Sequence, residues 1–219
     1  NKNVAQLTYE NDYQFAKAPN PPKVTAVAGD GKVTLYWDRS AEDTKDKYMG
    51  NITDGADLYD FEGYKIYRAT DFEFNDAYNI TDGDGNPTFL EPYVQNGVRA
   101  QCDLIDGKSG WHPVDLNGIK FYLGDETGLV HSYVDNNVVN GQRYYYAVVS
   151  YDYGGDLTNN IIPSDSPMKL RVNPLTGAVS LGPNVVEVVP SPPSAGFVDA
   201  SFTGDQIDHV AGASSGEVY

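Results

Sequence analysis

Residues 143–151 read RYYYAVVSY. Successive side chains of a strand point to opposite faces. Tyr144, Tyr146, Val148 and Ser150 therefore share one face, and Tyr145, Ala147, Val149 and Tyr151 the other. Both faces are largely apolar, so the strand is expected at the centre of a sheet, with its second face covered by another part of the chain. The long irregular stretch 71–128 is the candidate cover. Asn140-Gly141, just upstream, is the strongest short hairpin signal in the chain, because both residue types accept positive φ. Before it, Leu129 to Val134 again has strand character.

Moving outward, Lys32 to Asp38 (KVTLYWD) alternates cleanly: Val33, Leu35 and Trp37 face one way, Lys32, Thr34, Tyr36 and Asp38 the other. That is the pattern of a half-buried strand. Val24 to Ala28 reads as its partner across a Gly29-Asp30-Gly31 turn. Phe61 to Ala69 (FEGYKIYRA) is a further strand, with Tyr64 and Ile66 inward and Tyr67 on the opposite face. Met168 to Val172 reads as the closing strand. Between these, 39–60 is polar and reads as a long loop. A structureless run as long as 71–128 is unusual in a compact domain, so at least one extra hairpin is expected there. A small apolar cluster of Phe89, Leu104, Trp111 and Phe121 would hold it together. No helical period persists beyond about two turns. With 17 Tyr, 22 Gly and 13 Pro, strands punctuated by turns are the expected structure.

The 219 residues suffice for one large domain or for a sandwich with additions. No apolar run approaches the ~20 residues of a membrane helix. The formal net charge is −16, and a field of that sign repels phosphate backbones, so nucleic acid is not an expected partner. The single cysteine, Cys102, excludes an internal disulfide framework and reads as a buried thiol. The chain opens on Asn1, as a processed or excised piece does. Residues 1–20 read as an extended leader or an extra edge strand ahead of Asn20-Pro21-Pro22. Residues 173–219 contain no Lys or Arg and one clear strand candidate, Val185 to Val189. They read as a tail, a connector or the start of a following β module.

Taken together, PPKVTAVAGDGKVTLYWD, FEGYKIYRA, VDNNVVNGQRYYYAVVSYD and SDSP resemble a fibronectin type III domain. The resemblance implies an all-β, immunoglobulin-like sandwich over about 21–172, with 71–128 as an insertion and extended termini. It places Trp37 on the second strand, between the sheets. It places Gly63, Tyr64, Ile66, Tyr67 and Arg68 on the third strand, and Gly141, Tyr144, Tyr146 and Val148 at the sixth. Tyr144 is the expected corner tyrosine, whose hydroxyl ties back to backbone. Enlarged modules of this type resemble those of secreted or surface-anchored bacterial proteins.

Calcium is the ligand the sequence suggests best. Asp82, Asp84 and Asn86 alternate with glycines, as at the opening of a calcium loop. The twelfth position is Tyr93 rather than Glu, which excludes an EF-hand, and a plain turn accounts for the run equally. Asp54, Asp57 and Asp60 form a weaker cluster. His112, His131 and His209 stand at no metal-ligand spacing, and His112 reads as a packed loop histidine. Trp111, Tyr93 and Tyr122 could offer flat faces to a sugar or a protein, or form the core of the insertion. Asn51-Ile52-Thr53 and Asn79-Ile80-Thr81 fit the glycosylation rule. No paired carboxylates, nucleophile elbow or phosphate loop stands out, so no catalytic residues are assigned and no enzyme is expected.

The expected role is a structural or interaction module at the cell surface or outside the cell: a spacer, surface-layer or filament subunit. Its partners would be neighbouring domains or identical subunits. Residues 1–20 or Val185 to Val189 are candidates for strand addition to a neighbour. The alternative is an accessory module of a secreted enzyme that binds a surface glycan or a protein.

Overall fold

A computed structural model describes residues 15–77 and 79–197. The polypeptide forms strands almost throughout. β1 (Val24–Gly29) and β2 (Lys32–Trp37) form a hairpin whose turn uses Gly31 at φ 59°. Val33, Leu35 and Trp37 are buried, as the alternation predicts. A six-residue helix, α1 (Lys47–Ile52), interrupts the expected loop 39–60. It starts because the Asp46 carboxylate accepts from the amides of Tyr48 and Met49. β3 (Phe61–Ala69) follows, buried along nearly its whole length.

The insertion contains three hairpins and an edge strand rather than loop. These are β4 (Asn79–Thr81) with β5 (Pro87–Leu90), β6 (Val94–Gln95) with β7 (Val98–Arg99), β8 (Gln101–Asp103) alone, and β9 (Trp111–Leu116) with β10 (Ile119–Tyr122). The chain continues through β11 (Ser132–Asp135), β12 (Tyr144–Asp152), β13 (Leu170–Val172), β14 (Val179–Leu181) and β15 (Val185–Val188).

Two antiparallel sheets, ordered β1-β2-β11 and β15-β12-β3-β8, share one core and make a β-sandwich. The core holds all six aromatic and aliphatic residues singled out from the sequence: Trp37, Tyr64, Ile66, Tyr144, Tyr146 and Val148. Burying side chains of this size contributes about 1.5–3 kcal/mol each. Trp37 meets Tyr64 edge to face at 5.7 Å, a favoured aromatic geometry. The Tyr144 hydroxyl accepts from the Val139 amide at 3.0 Å, tying the strand to the backbone just upstream. Tyr146 donates to the buried Asp135 at 2.7 Å.

All nine residues of β12 are buried. Its outer face carries Tyr145, Ala147 and Val149, which join Tyr67 and Ala69 of β3 beneath Phe72, Phe74, Leu90, Met168, Leu170 and Leu181. Tyr151 lies in a further cluster with Phe121, Leu123, Tyr153 and Phe89. The insertion does cover the second face of the four-stranded sheet, aided by the β13–β14 hairpin.

Three expectations are corrected. The closing strand is β15, which pairs with Tyr144–Ala147, and not 168–172, which folds into the β13–β14 hairpin. Val185 supplies the outer cluster while Val186 and Val188 pack on the core, so this segment satisfies both faces at once. The sandwich thus runs to Val188, and Val185–Val188 completes its own sheet. Asn140-Gly141 does turn, with Gly141 at φ 82°. However, it leads from one sheet to the other rather than joining paired strands: β11 pairs with β2, while β12 pairs with β3 and β15. The predicted cluster in the insertion is divided. Phe89 and Phe121 meet at 5.3 Å, Leu104 packs on the main core, and Trp111 is 57% exposed. The leader is described only from Phe15, and no strand occurs among residues 15–20; the rest of that reading lies outside the described residues.

Candidate functional site

The aromatic residues expected to bind a ligand lie on the insertion and are linked through arginines. Tyr93 is pinned to β3 by backbone bonds. Its amide donates to the Ile66 carbonyl (2.8 Å), and its carbonyl accepts from the Ala100 amide (2.7 Å). The Arg68 guanidinium lies 3.9 Å from the Tyr93 ring centroid. Its Nη1 donates to Asp135 Oδ2 (3.0 Å) and to the Asn137 carbonyl (2.7 Å). Asp135 is fully buried, so the pair fixes Arg68 firmly.

Arg99 stands on the far side of the same cleft lining. Its Nε meets Glu91 Oε1 at 2.5 Å, and its guanidinium lies 4.7 Å from the Tyr122 centroid. Tyr122 faces Trp111 directly across the β9–β10 hairpin, with ring centroids 4.9 Å apart. Tyr122 also donates to Asp125, which keeps its phenol protonated above the ordinary range. Tyr93, Arg68, Arg99 and Glu91 line a cleft of about 600 Å³. Arg99 and Tyr122 also line a neighbouring cleft of about 240 Å³. The three expected residues thus belong to one surface, with Tyr93 at one end, Tyr122 and Trp111 at the other, and Arg99 between. Sequence reading missed Arg68, Arg99 and Glu91. Arg68 was legible only as part of the GYKIYR run, and nothing local distinguishes Arg99.

Asp82, Asp84 and Asn86 come together in the turn between β4 and β5. There Asp82 Oδ1 accepts from the amides of Asp84 (3.0 Å) and Asn86 (2.9 Å). Asn86 Nδ2 donates to both Asp82 oxygens. The bonds from Asn86 hold the Asp82 carboxyl below its usual range. The turn is therefore closed by its own donors. Asp54, Asp57 and Asp60 do not converge: Asp60 is buried while Asp54 is exposed. Among the described residues no group of three or more His, Cys, Asp or Glu is placed to hold a metal ion.

His112 is buried and structural, with Nε2 2.7 Å from the Gly155 carbonyl. His131 Nε2 meets Glu42 Oε1 at 2.5 Å, and Glu42 also accepts from Tyr64. His209 lies outside the described residues. Cys102 packs in the main core, and burial pushes its thiol up, so it is an inert thiol rather than a nucleophile. Asn51 and Asn79 of the two glycosylation triplets are both exposed. No helix among the described residues is long and apolar enough to cross a membrane.

Three carboxyls deep in the fold stand apart from this surface. Burial, then the Asp152 and Asp46 charges, push Asp60 up to about 8. Burial pushes Asp152 to about 7, against bonds from Ser164 and Gly154 that favour its charge. Glu62 is fully buried, neither of its carboxyl oxygens has a partner, and it is pushed to about 8. Comparison with protein-family models, with curated proteins and with solved structures finds no match.

Proposed function

We propose that this chain is an enlarged fibronectin type III-like module of an extracellular or cell-surface protein, acting through contacts rather than catalysis. Counting only the strands of the two main sheets, Trp37 falls on the second, Gly63–Arg68 on the third and Tyr144–Val148 on the sixth. These are the places the resemblance assigns. The single observation that carries the interaction role is the surface from Tyr93 through Arg68 and Arg99 to Tyr122 and Trp111. Aromatic and arginine side chains held by backbone bonds and ion pairs, that of Arg68 with the buried Asp135 above all, lose little freedom on binding, which favours recognition. The sandwich acts as the frame and the insertion as the contact surface.

The test compares the chain with the double variant Arg99→Ala/Trp111→Ala, on a glycan array and by sedimentation at rising concentration. Near-UV circular dichroism shows that the fold is kept. The wild type is expected to engage a ligand or itself, and the variant to lose that engagement. Identical behaviour of the two proteins would overturn the reading.

A second reading, the spacer or filament subunit, draws on the outer face of the β1-β2-β11 sheet. Val27, Thr34 and Val134 form one row across it, next to Tyr36. Val27, Tyr36 and Val134 are exposed. The β11 edge is occupied by Gln95, which donates to the Val134 carbonyl and accepts from the Asn136 amide. Face packing suits this surface better than strand addition at that edge. Self-association abolished by Tyr36→Lys, and untouched by Arg99→Ala/Trp111→Ala, would favour this reading.

A further inference from the structure

We propose that the cleft between Arg68 and Arg99 is a subsite for one ring of an uncharged glycan, a neutral hexose or pentose unit. This rests on reading the insertion surface as the contact surface. The cleft of about 600 Å³ lies within the size range of small-ligand pockets, roughly 300–1,000 Å³.

Its chemistry is mixed on both sides. Arg68 uses Nη1 on Asp135 and Asn137, and its Nε and Nη2 make no hydrogen bond among the described residues. Arg99 uses Nε on Glu91, and both its terminal nitrogens are likewise unengaged. The same lining holds acceptors. Glu91 gives only Oε1 to Arg99, and Asp76, beside Asp71, accepts at Oδ2 from the amide and hydroxyl of Thr70. A hydroxyl donates one hydrogen bond and accepts up to two. Adjacent ring hydroxyls are therefore complementary to a guanidinium edge beside a carboxylate oxygen.

Charge argues for neutrality. Arg68 is balanced by Asp135 and Arg99 by Glu91. Asp76 adds a further negative charge to the lining, and the whole chain carries −16. An acidic sugar therefore meets no net positive field here. Pro92 and Val94 supply apolar lining. Beyond Arg99, the exposed Trp111 offers a flat face for a second ring of the same chain.

The experiment is isothermal titration of the whole chain with six probes: cellohexaose, xylohexaose, mannohexaose, maltohexaose, hexagalacturonate and a sulfated heparin hexasaccharide. The expected result is binding of at least one of the four neutral probes, with little dependence on salt between 50 and 500 mM, roughly as for uncharged ligands. Arg99→Gln and Asp76→Asn should each weaken that binding at least tenfold, with melting curves showing both variants folded. Binding confined to hexagalacturonate or the heparin fragment overturns the neutral-glycan inference but leaves the contact surface standing. Neutral binding that Trp111→Ala abolishes and Arg99→Gln and Asp76→Asn leave intact moves the sugar out of the cleft and overturns the subsite. Binding of none of the six overturns the inference, while the contact-surface reading is judged separately by the double variant.

Discussion

Replacing Glu62 by Gln should stabilise this protein, and increasingly so as pH rises from 5 to 8. Glu62 is completely shielded from solvent and its two oxygens have no partner. The charged groups around it are Asp106, Lys108, Asp103 and Glu126, a set with net negative charge. Its carboxyl is accordingly pushed from 4.5 to about 8, by burial first. Below pH 4.5 the group is neutral in both the folded and the unfolded chain and has no effect on the balance. Above it the unfolded chain ionises while the folded one stays protonated, so stability falls by about 1.4 kcal/mol per pH unit until the folded group ionises as well. Up to pH 7 that amounts to at most ~3 kcal/mol; relaxation and water reaching the site reduce it to about 1–2 kcal/mol. Gln has the same shape and does not titrate. Its gain should be smallest at pH 5 and reach roughly 3–6 °C in melting temperature near pH 7. Thermal melts of both proteins at pH 5, 6, 7 and 8 measure this. Asp60 and Asp152 are pushed up in the same sense and remain in the variant, so both proteins should lose stability with rising pH. Only the difference between them isolates Glu62. A constant offset across the four pH values, or a variant less stable at pH 8, would refute the reasoning.

Lys65 sits under the insertion, 3.2 Å from Asp165 and 3.4 Å from the Phe121 ring centroid. Asp165→Asn should cost about 3 kcal/mol in urea unfolding at pH 7, because it leaves a buried ammonium without its counter-charge, whereas Lys65→Met should cost less, because the carboxylate it leaves unpaired is 26% exposed. A Cβ on Gly63 would collide with the Cys102 carbonyl oxygen. Gly63→Ala should therefore destabilise by at least ~2 kcal/mol or prevent folding, read by the same unfolding curves. Ending the chain at Val172 removes β15 and uncovers β12 along one side. Near-UV circular dichroism should then show loss of fixed tertiary packing, and a retained cooperative melt would contradict the role given to Val185–Val188.

Periodicity made the sandwich legible where one face is apolar or both are. Val33, Leu35 and Trp37 declared their face, and RYYYAVVSY declared that it needs covering on both. That 71–128 supplies most of the cover was legible, but which residues make it was not, because Phe74, Leu90, Phe121 and Leu181 reach β12 and β3 from distant parts of the chain. The same limit explains the misplaced closing strand. Both 168–172 and 185–188 carry apolar residues. The second is selected only because it packs on two layers at once, which is a property of the assembled fold. Buried charge was hidden for a different reason. Within FEGYKIYRA, Glu62 shares the face of Tyr64 and Ile66 and Lys65 that of Tyr67, yet nothing local shows what buries their charges: Lys65 lies under Phe121 and both side chains are enclosed by distant parts of the chain. At the candidate site the aromatic members were legible as residues in search of a role. Their arginine links were not, because Arg68 and Arg99 are joined only by tertiary contact.

The frame and the contact surface meet at Asp135. This buried carboxylate accepts from the Tyr146 hydroxyl in the sandwich core and pairs with Arg68 at the cleft. It also accepts from the Asn137 amide after β11. A buried ion pair of this kind is weak evidence of stabilisation, since desolvation offsets much of the attraction. Its consequence here is geometric. Arg68 cannot swing away from Tyr93 without leaving the buried Asp135 with no counter-charge, so the orientation of the cleft is set by the packing of the sandwich. The insertion supplies the rest of the surface, but its fixed point belongs to the strands that the opening stretch of sequence already identifies as core.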